Sequence, residues 1–178
     1  MLLAAGSLSV VFAAGELSGR RAPGFALPDL NLNYHDIQDQ RGKVVILDIM
    51  RTTCPHCLTV SKNLEKIKAK FGTRVAIFSI VNPPDNQQAV SQFLVQNKLT
   101  TPVLFDCGQV SAVYLKVTPK NPSITIPHIF LIDQQGMIRN DFVYDDATKG
   151  ILEGNGLAAE VEKLLNRPGA PAQKKSAK

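Results

Sequence analysis

Apolar positions along the chain change period several times. Residues 43–50, KVVILDIM, form a short continuous apolar run rich in β-branched side chains, which predicts a buried strand. Beyond Cys57 the apolar residues Val60, Leu64, Ile67 and Phe71 recur at helical spacing with lysines between them, and Gly72 follows as a stop. RVAIFSIV (74–81) predicts a second buried strand, and Pro83-Pro84-Asp85 opens a helix with Val90, Phe93 and Leu94 turned inward. PVLF (102–105) is a third strand and 108–115 a short helix. IPHIFLI (126–132) is a strand, 133–136 a turn, and 137–144 a strand hairpinned to it. The last helix, 156–165, puts Leu157, Val161, Leu164 and Leu165 on one face. Residues 25–37 alternate between polar and apolar, which predicts a small hairpin ahead of the main sheet.

Strands separated by helices need crossover connections, and crossovers cover a sheet on both faces. The tight turn at 133–136 makes the last two strands antiparallel. The expectation is an α/β three-layer sandwich: a mixed sheet, helices on both faces and an N-terminal β-hairpin.

Both ends differ from this body. Residues 2–14, LLAAGSLSVVFAA, are small and apolar but too few to span a bilayer, which takes about 20. They match the apolar core of a secretory leader, and Val11-Phe12-Ala13 and Ala13-Ala14-Gly15 offer a peptidase small residues. No Lys or Arg precedes the run, so a degenerate anchor and a buried N-terminal helix are the competing readings. The chain divides into a leader at 1–15, a folded domain at 16–166 and a basic tail at 167–178, where Pro168 and Gly169 stop the last helix. Export implies the bacterial periplasm or secretion, free or held to a membrane by the N-terminus, and an oxidising compartment.

Composition narrows the function classes. The 178 residues are 44% hydrophobic and 20% charged, an ordinary globular balance. The net charge of +5 does not imply nucleic-acid binding: part of it lies in Lys174, Lys175, Lys178, Arg20 and Arg21, and the rest is dispersed without interleaved aromatics. Three cysteines are too few for a disulfide scaffold, yet two of them stand two residues apart in RTTCPHC (51–57).

That pair sits where the strand 43–50 hands over to a helix. Thr52 or Thr53 is the expected N-cap, and Pro55 suits the first turn, where its missing N–H costs nothing. Cys54 then lies at the positive end of the helix, where a thiolate is favoured, and Cys57 lies one turn inward on the same face, within disulfide reach. His56, protonated or donating toward the Cys54 sulfur, would stabilise the thiolate and make the disulfide more oxidising. A carboxylate at Asp48, inside a buried apolar run, should have a raised pKa and can take a proton from Cys57; a hydrogen-bonded structural role is the alternative. A metal carrier using Cys54, Cys57, His56 or His128 is the other chemistry open to these residues, but no second CxxC completes a four-ligand set. Cys107 reads as a buried or half-buried free thiol and His128 as a core or surface histidine, while His35 shows no role.

Strand, CxxC at a helix start and a late strand opened by Ile126-Pro127 resemble thioredoxin-like proteins. More closely, the chain resembles the TlpA/ResA-type extracytoplasmic thiol–disulfide oxidoreductases of the AhpC/TSA-like group. The segments that carry this are APGFALPDL (22–30), RGKVVILDI (41–49), TPVLFD (101–106) and IPHIFLIDQQG (126–136). The resemblance implies a thioredoxin-like fold in which a cis Pro127 faces the dithiol, props a partner's backbone beside Cys54 and prevents metal capture. It also makes Asp48 the buried carboxylate of the site, Pro55 and His56 the tuning pair, and Ile126 and Thr53 substrate-binding neighbours. It implies no cofactor beyond the disulfide of Cys54 and Cys57, a monomer, and partners that are protein thiols or disulfides plus a membrane or periplasmic redox partner. Apo-cytochrome c or another exported thiol is the implied substrate.

Three departures stand out. Met50 and Thr53 stand where Trp is common, and the chain has no Trp. CPHC is the choice of DsbA-type oxidants, so the direction of electron flow stays open. The loop 117–125, VTPKNPSIT, is longer than usual and either shapes partner choice or is a tolerated insertion. The wider group also contains thiol peroxidases, but Leu47 and Arg51 occupy the spacings of their Pro and Thr.

Overall fold

The computed structural model describes residues 15–167. The leader and tail expectations therefore fall outside the described residues, save Gly15 and Arg167. Among the described residues, seven strands and five α-helices follow in the order β1 (Ala26–Pro28), β2 (Tyr34–Asp36), β3 (Val44–Ile49), α1 (Pro55–Phe71), β4 (Val75–Val81), α2 (Gln87–Asn97), β5 (Val103–Phe105), α3 (Gln109–Leu115), β6 (His128–Ile132), β7 (Ile138–Val143), α4 (Lys149–Glu153) and α5 (Gly156–Leu165).

The main sheet has the order β5-β4-β3-β6-β7. β3 pairs parallel to β4, and β4 to β5, through the helical crossovers; β6 pairs antiparallel to β3 and to β7. β1 and β2 form the separate antiparallel hairpin. All six residues of β3 are buried, as the continuous apolar run requires of a central strand.

Alternation along β3 divides the core in two. Val44 and Ile46 face α1, α4 and α5, meeting Val60, Leu64 and Ile67 of α1, Leu152 of α4 and Leu157, Val161 and Leu164 of α5. Val45, Leu47 and Ile49 face the other way, onto Phe25, Ile37 and Tyr114. Each such side chain contributes about 1.5–3 kcal/mol relative to exposure. Tyr114 is fully buried on α3 and donates its hydroxyl to the Pro23 carbonyl at 2.8 Å, which fixes the N-terminal segment over that face. A third, smaller cluster of Met50, Cys57, Val81, Val90, Phe93 and Val103 closes the end of the sheet where β3 and β4 finish. Among the described residues no helix is long and apolar enough to cross a membrane.

Several boundaries differ from those the pattern predicts. α2 starts at Gln87, after Pro83-Pro84-Asp85, because Asn86 supplies the cap by accepting from the Ala89 N–H at 3.0 Å. α4 was not predicted; with only Ile151 and Leu152 apolar, five residues are too few to show a period. α1 ends as expected at Gly72, whose φ of 57° is a conformation glycine adopts cheaply.

Candidate active site

β3 runs one residue past its last strand position, with the Met50 N–H on the Ile80 carbonyl at 3.0 Å, and then turns. The expected threonine cap is not what forms. Cys54 is itself the N-cap of α1, in extended backbone, and its sulfur accepts the Cys57 N–H at 3.3 Å. Thr52 is committed elsewhere: its hydroxyl donates to Asp85, and its N–H reaches the same carboxylate at 3.3 Å. This ties the dithiol turn to the loop before α2. Thr53 is exposed, and Pro55 opens the helix at its first position. One orphan N–H of the first turn, that of Cys57, thus meets a sulfur rather than a hydroxyl.

The two thiols differ sharply. Cys54 is half-buried and Cys57 fully buried. Burial pushes the Cys57 thiol well above its ordinary pKa, and its bond to Cys54 and the nearby Asp48 charge add to this. Asp48 is fully buried on β3. Ser79 donates to its Oδ2 at 3.2 Å, and Oδ1 has no hydrogen-bond partner among the described residues. Burial raises the Asp48 pKa to about 7, against a small opposing pull from Ser79. A carboxyl that holds or yields a proton near neutrality therefore lies within electrostatic reach of the buried thiol.

The Ile126-Pro127 peptide bond is cis, and Pro127 is buried where it leads into β6. Its carbonyl accepts the Tyr144 N–H at 3.2 Å. Ile126 packs against the cluster that holds Cys57, as Cys54 does. The loop 117–125 reaches the same end of the sheet: Ile124 lines a groove of about 390 Å³ with Ile49, Met50, Arg51, Asn82 and Ile126.

His56 is exposed, and its ring stacks on Tyr144 with centroids 4.4 Å apart. Its Nδ1 lies 2.8 Å from the Tyr144 hydroxyl, which donates to Glu153 Oε1 at 2.6 Å. The bond from Tyr144 leads the causes that hold Glu153 below the usual carboxylate range. Tyr144 is pushed up to about 12 by its partial burial and then by Glu153, with the Cys54 charge among the smaller causes. The sequence alone does not point to Tyr144 and Glu153. No local motif marks them, since the end of β7 and the end of α4 bring them to the dithiol only through the fold.

Two other residues are corrected or resolved. Cys107 is exposed rather than buried, because Asp106 turns inward to accept the N–H groups of Val110 and Ser111 and leaves its neighbour on the rim of a groove of about 580 Å³. With Cys54 and Cys57 joined, native protein should take one equivalent of a maleimide, at Cys107, as read by intact mass. His128 is buried, stacks on Phe130 with centroids 4.6 Å apart and lies 3.4 Å from the Asp141 carboxylate, an ion-pair distance. Asp141 also binds the Leu17 N–H and the Ser18 hydroxyl, so this pair anchors the N-terminal segment. Among the described residues no group of three or more His, Cys, Asp or Glu is placed to hold a metal ion.

Comparison with known proteins agrees with this geometry. The model of the AhpC/TSA family matches residues 18–141. The thioredoxin-like protein YneN of Bacillus subtilis is 25% identical over 128 residues, covering 71% of each chain. The thiol–disulfide oxidoreductase ResA of Bacillus thuringiensis is 28% identical over 136 residues, 76% of this chain and 75% of its own. Among solved structures, a candidate thiol:disulfide interchange protein DsbE from Chlorobium tepidum superposes with a TM-score of 0.69 at 25% identity, covering 84% of this chain and 98% of that one.

Proposed function

The chain belongs to the AhpC/TSA family and is a thiol–disulfide oxidoreductase; we propose that it exchanges disulfides with exported protein partners through Cys54 and Cys57. The observation that carries this reading is the asymmetry of the pair: a half-exposed sulfur at the helix N-cap, taking the N–H of a buried second cysteine. A half-exposed sulfur that accepts a helix N–H suits a nucleophile, and a shielded thiol behind it suits a resolving group.

In the reducing direction the Cys54 thiolate attacks a partner disulfide. The partner's S–S bond breaks, one partner sulfur leaves as a thiolate, and a mixed disulfide forms. Cys57 then passes its proton to Asp48 and attacks the Cys54 sulfur. The second partner sulfur leaves, so two electrons have moved to the partner and Cys54 is bonded to Cys57. Run backwards, the same steps donate a disulfide. In this reading Pro127 props the partner backbone beside Cys54, Ile126 and Thr53 flank it, and no cofactor is needed beyond the protein's own disulfide.

The leader-like residues 2–14 support an extracytoplasmic location, where exported thiols, including those of apo-cytochromes c, would meet this site. Stoichiometric reduced protein should convert the disulfides of an unfolded exported protein to thiols, with an equal amount of Cys54-to-Cys57 disulfide appearing. Consumption of peroxide without transfer to the protein disulfide would contradict the reading.

A further inference from the structure

The ring between the two cysteines is held by groups from outside their turn. Tyr144 has one hydroxyl proton, and it is committed to the 2.6 Å bond to Glu153, a length typical of charge-assisted bonds. The His56 Nδ1, 2.8 Å from the same oxygen, therefore carries a proton and donates it to Tyr144. Glu153 Oε1 also lies 3.5 Å from that nitrogen, so a carboxylate faces the same edge of the ring. An imidazole engaged in this way cannot give its Nδ1 proton to the Cys54 sulfur. The brace is fixed at both ends. Tyr144 is tied to the Pro127 carbonyl at 3.2 Å, and α4 is tied to α1 by Asn63, which donates to the carbonyls of Leu152 at 2.8 Å and Gly154 at 2.9 Å. Lys149 acts on Glu153, and Asp146 and Cys54 act on Tyr144, as the neighbouring charges.

We propose that Tyr144 and Glu153 are positioning residues that withhold His56 from the Cys54 sulfur and so set the dithiol toward the reducing end of its range. The proposal rests on the exchange chemistry through Cys54 and Cys57 given above. A donor or positive charge beside a thiolate stabilises the reduced form and makes the disulfide a stronger oxidant. The brace removes that contribution by occupying the Nδ1 proton of His56, which favours the disulfide form. CPHC thus sits in this chain in an environment that opposes its oxidising tendency.

The test is the equilibrium with glutathione, in which two glutathione thiols pass two electrons and two protons to the protein disulfide and leave as glutathione disulfide. Glu153→Gln and Tyr144→Phe should each move the equilibrium constant toward the protein dithiol by about three- to fivefold, the range of a partly exposed ion pair. Fivefold corresponds to about 20 mV for a two-electron couple. In a His56→Ala background the same substitutions should change the constant by less than about 1.5-fold, since no ring remains to be released. A substitution that only loosened the fold would act alike in both backgrounds. A shift toward the disulfide, no shift, or an equal shift without His56 overturns the proposal. If the parent protein does not exchange with glutathione at all, the reading of the dithiol itself fails instead.

Discussion

Replacing Cys57 with serine should leave a protein that attacks partner disulfides and then cannot let go, so that a mixed disulfide through Cys54 accumulates to near stoichiometry. Replacing Cys54 with serine should instead lower the initial exchange rate by about a thousandfold or more. The contrast follows from burial. Cys54 presents a half-exposed sulfur at the end of α1, with the Cys57 N–H 3.3 Å away to stabilise its negative charge. Cys57 is fully buried, and burial opposes its ionisation; in the proposed exchange Asp48 takes its proton. Cys107 cannot stand in for either, since it lies beyond β5 on the groove bounded by residues 23–27 and α3. Non-reducing electrophoresis and intact mass read both variants. Exchange by Cys54→Ser at the parent rate would move the nucleophile to another sulfur.

Asp48→Asn should make the oxidised protein more stable at pH 8 and slower to resolve mixed disulfides. The parent carboxyl is fully buried, and its pKa rises from 3.8 to about 7. Below pH 3.8 it is protonated in both folded and unfolded chains, and the burial of a charge costs nothing. Between 3.8 and about 7 the unfolded chain releases the proton while the folded one keeps it, so the unfolded state binds fewer protons and stability falls as pH rises. Above about 7 the loss is complete, at about 4 kcal/mol from roughly three pH units. Asn fills nearly the same volume, can still meet Ser79 and does not titrate, so its advantage should grow from little at pH 4 to about 4 kcal/mol at pH 8. Denaturant unfolding at fixed redox state reads this, and parallel pH profiles for the two proteins would contradict it. Resolution should slow by about a hundredfold, within the range for losing a positioned proton acceptor.

Where an element's cause is local, the sequence showed it. KVVILDIM could only be a central strand, and Val60, Leu64, Ile67 and Phe71 could only share a helix face; both stand in the structure, on β3 and α1. The dithiol was legible for the same reason, since strand, turn and helix are consecutive. What failed was choice among equivalent local acceptors for the first-turn N–H groups. Thr52 and Thr53 both looked able to cap α1, yet the distant Asp85 claims the first, and the sulfur of Cys54 takes the cap. Cys107 looked interior because it follows an apolar strand, but its neighbour Asp106 takes the inward position. Tyr144 and Glu153 carried no signal at all, because only the packing of β7 and α4 beside the dithiol gives them a partner there.

The central claim is that Cys54 and Cys57 interconvert between two thiols and one disulfide. Equilibrate the protein across a series of glutathione buffers, quench with acid, alkylate and map the linkages by mass. A single two-electron transition should appear, with Cys54 joined to Cys57 on the oxidised side and Cys107 alkylated throughout. Thiols at both positions in every buffer, or a bond from either one to Cys107, would contradict it.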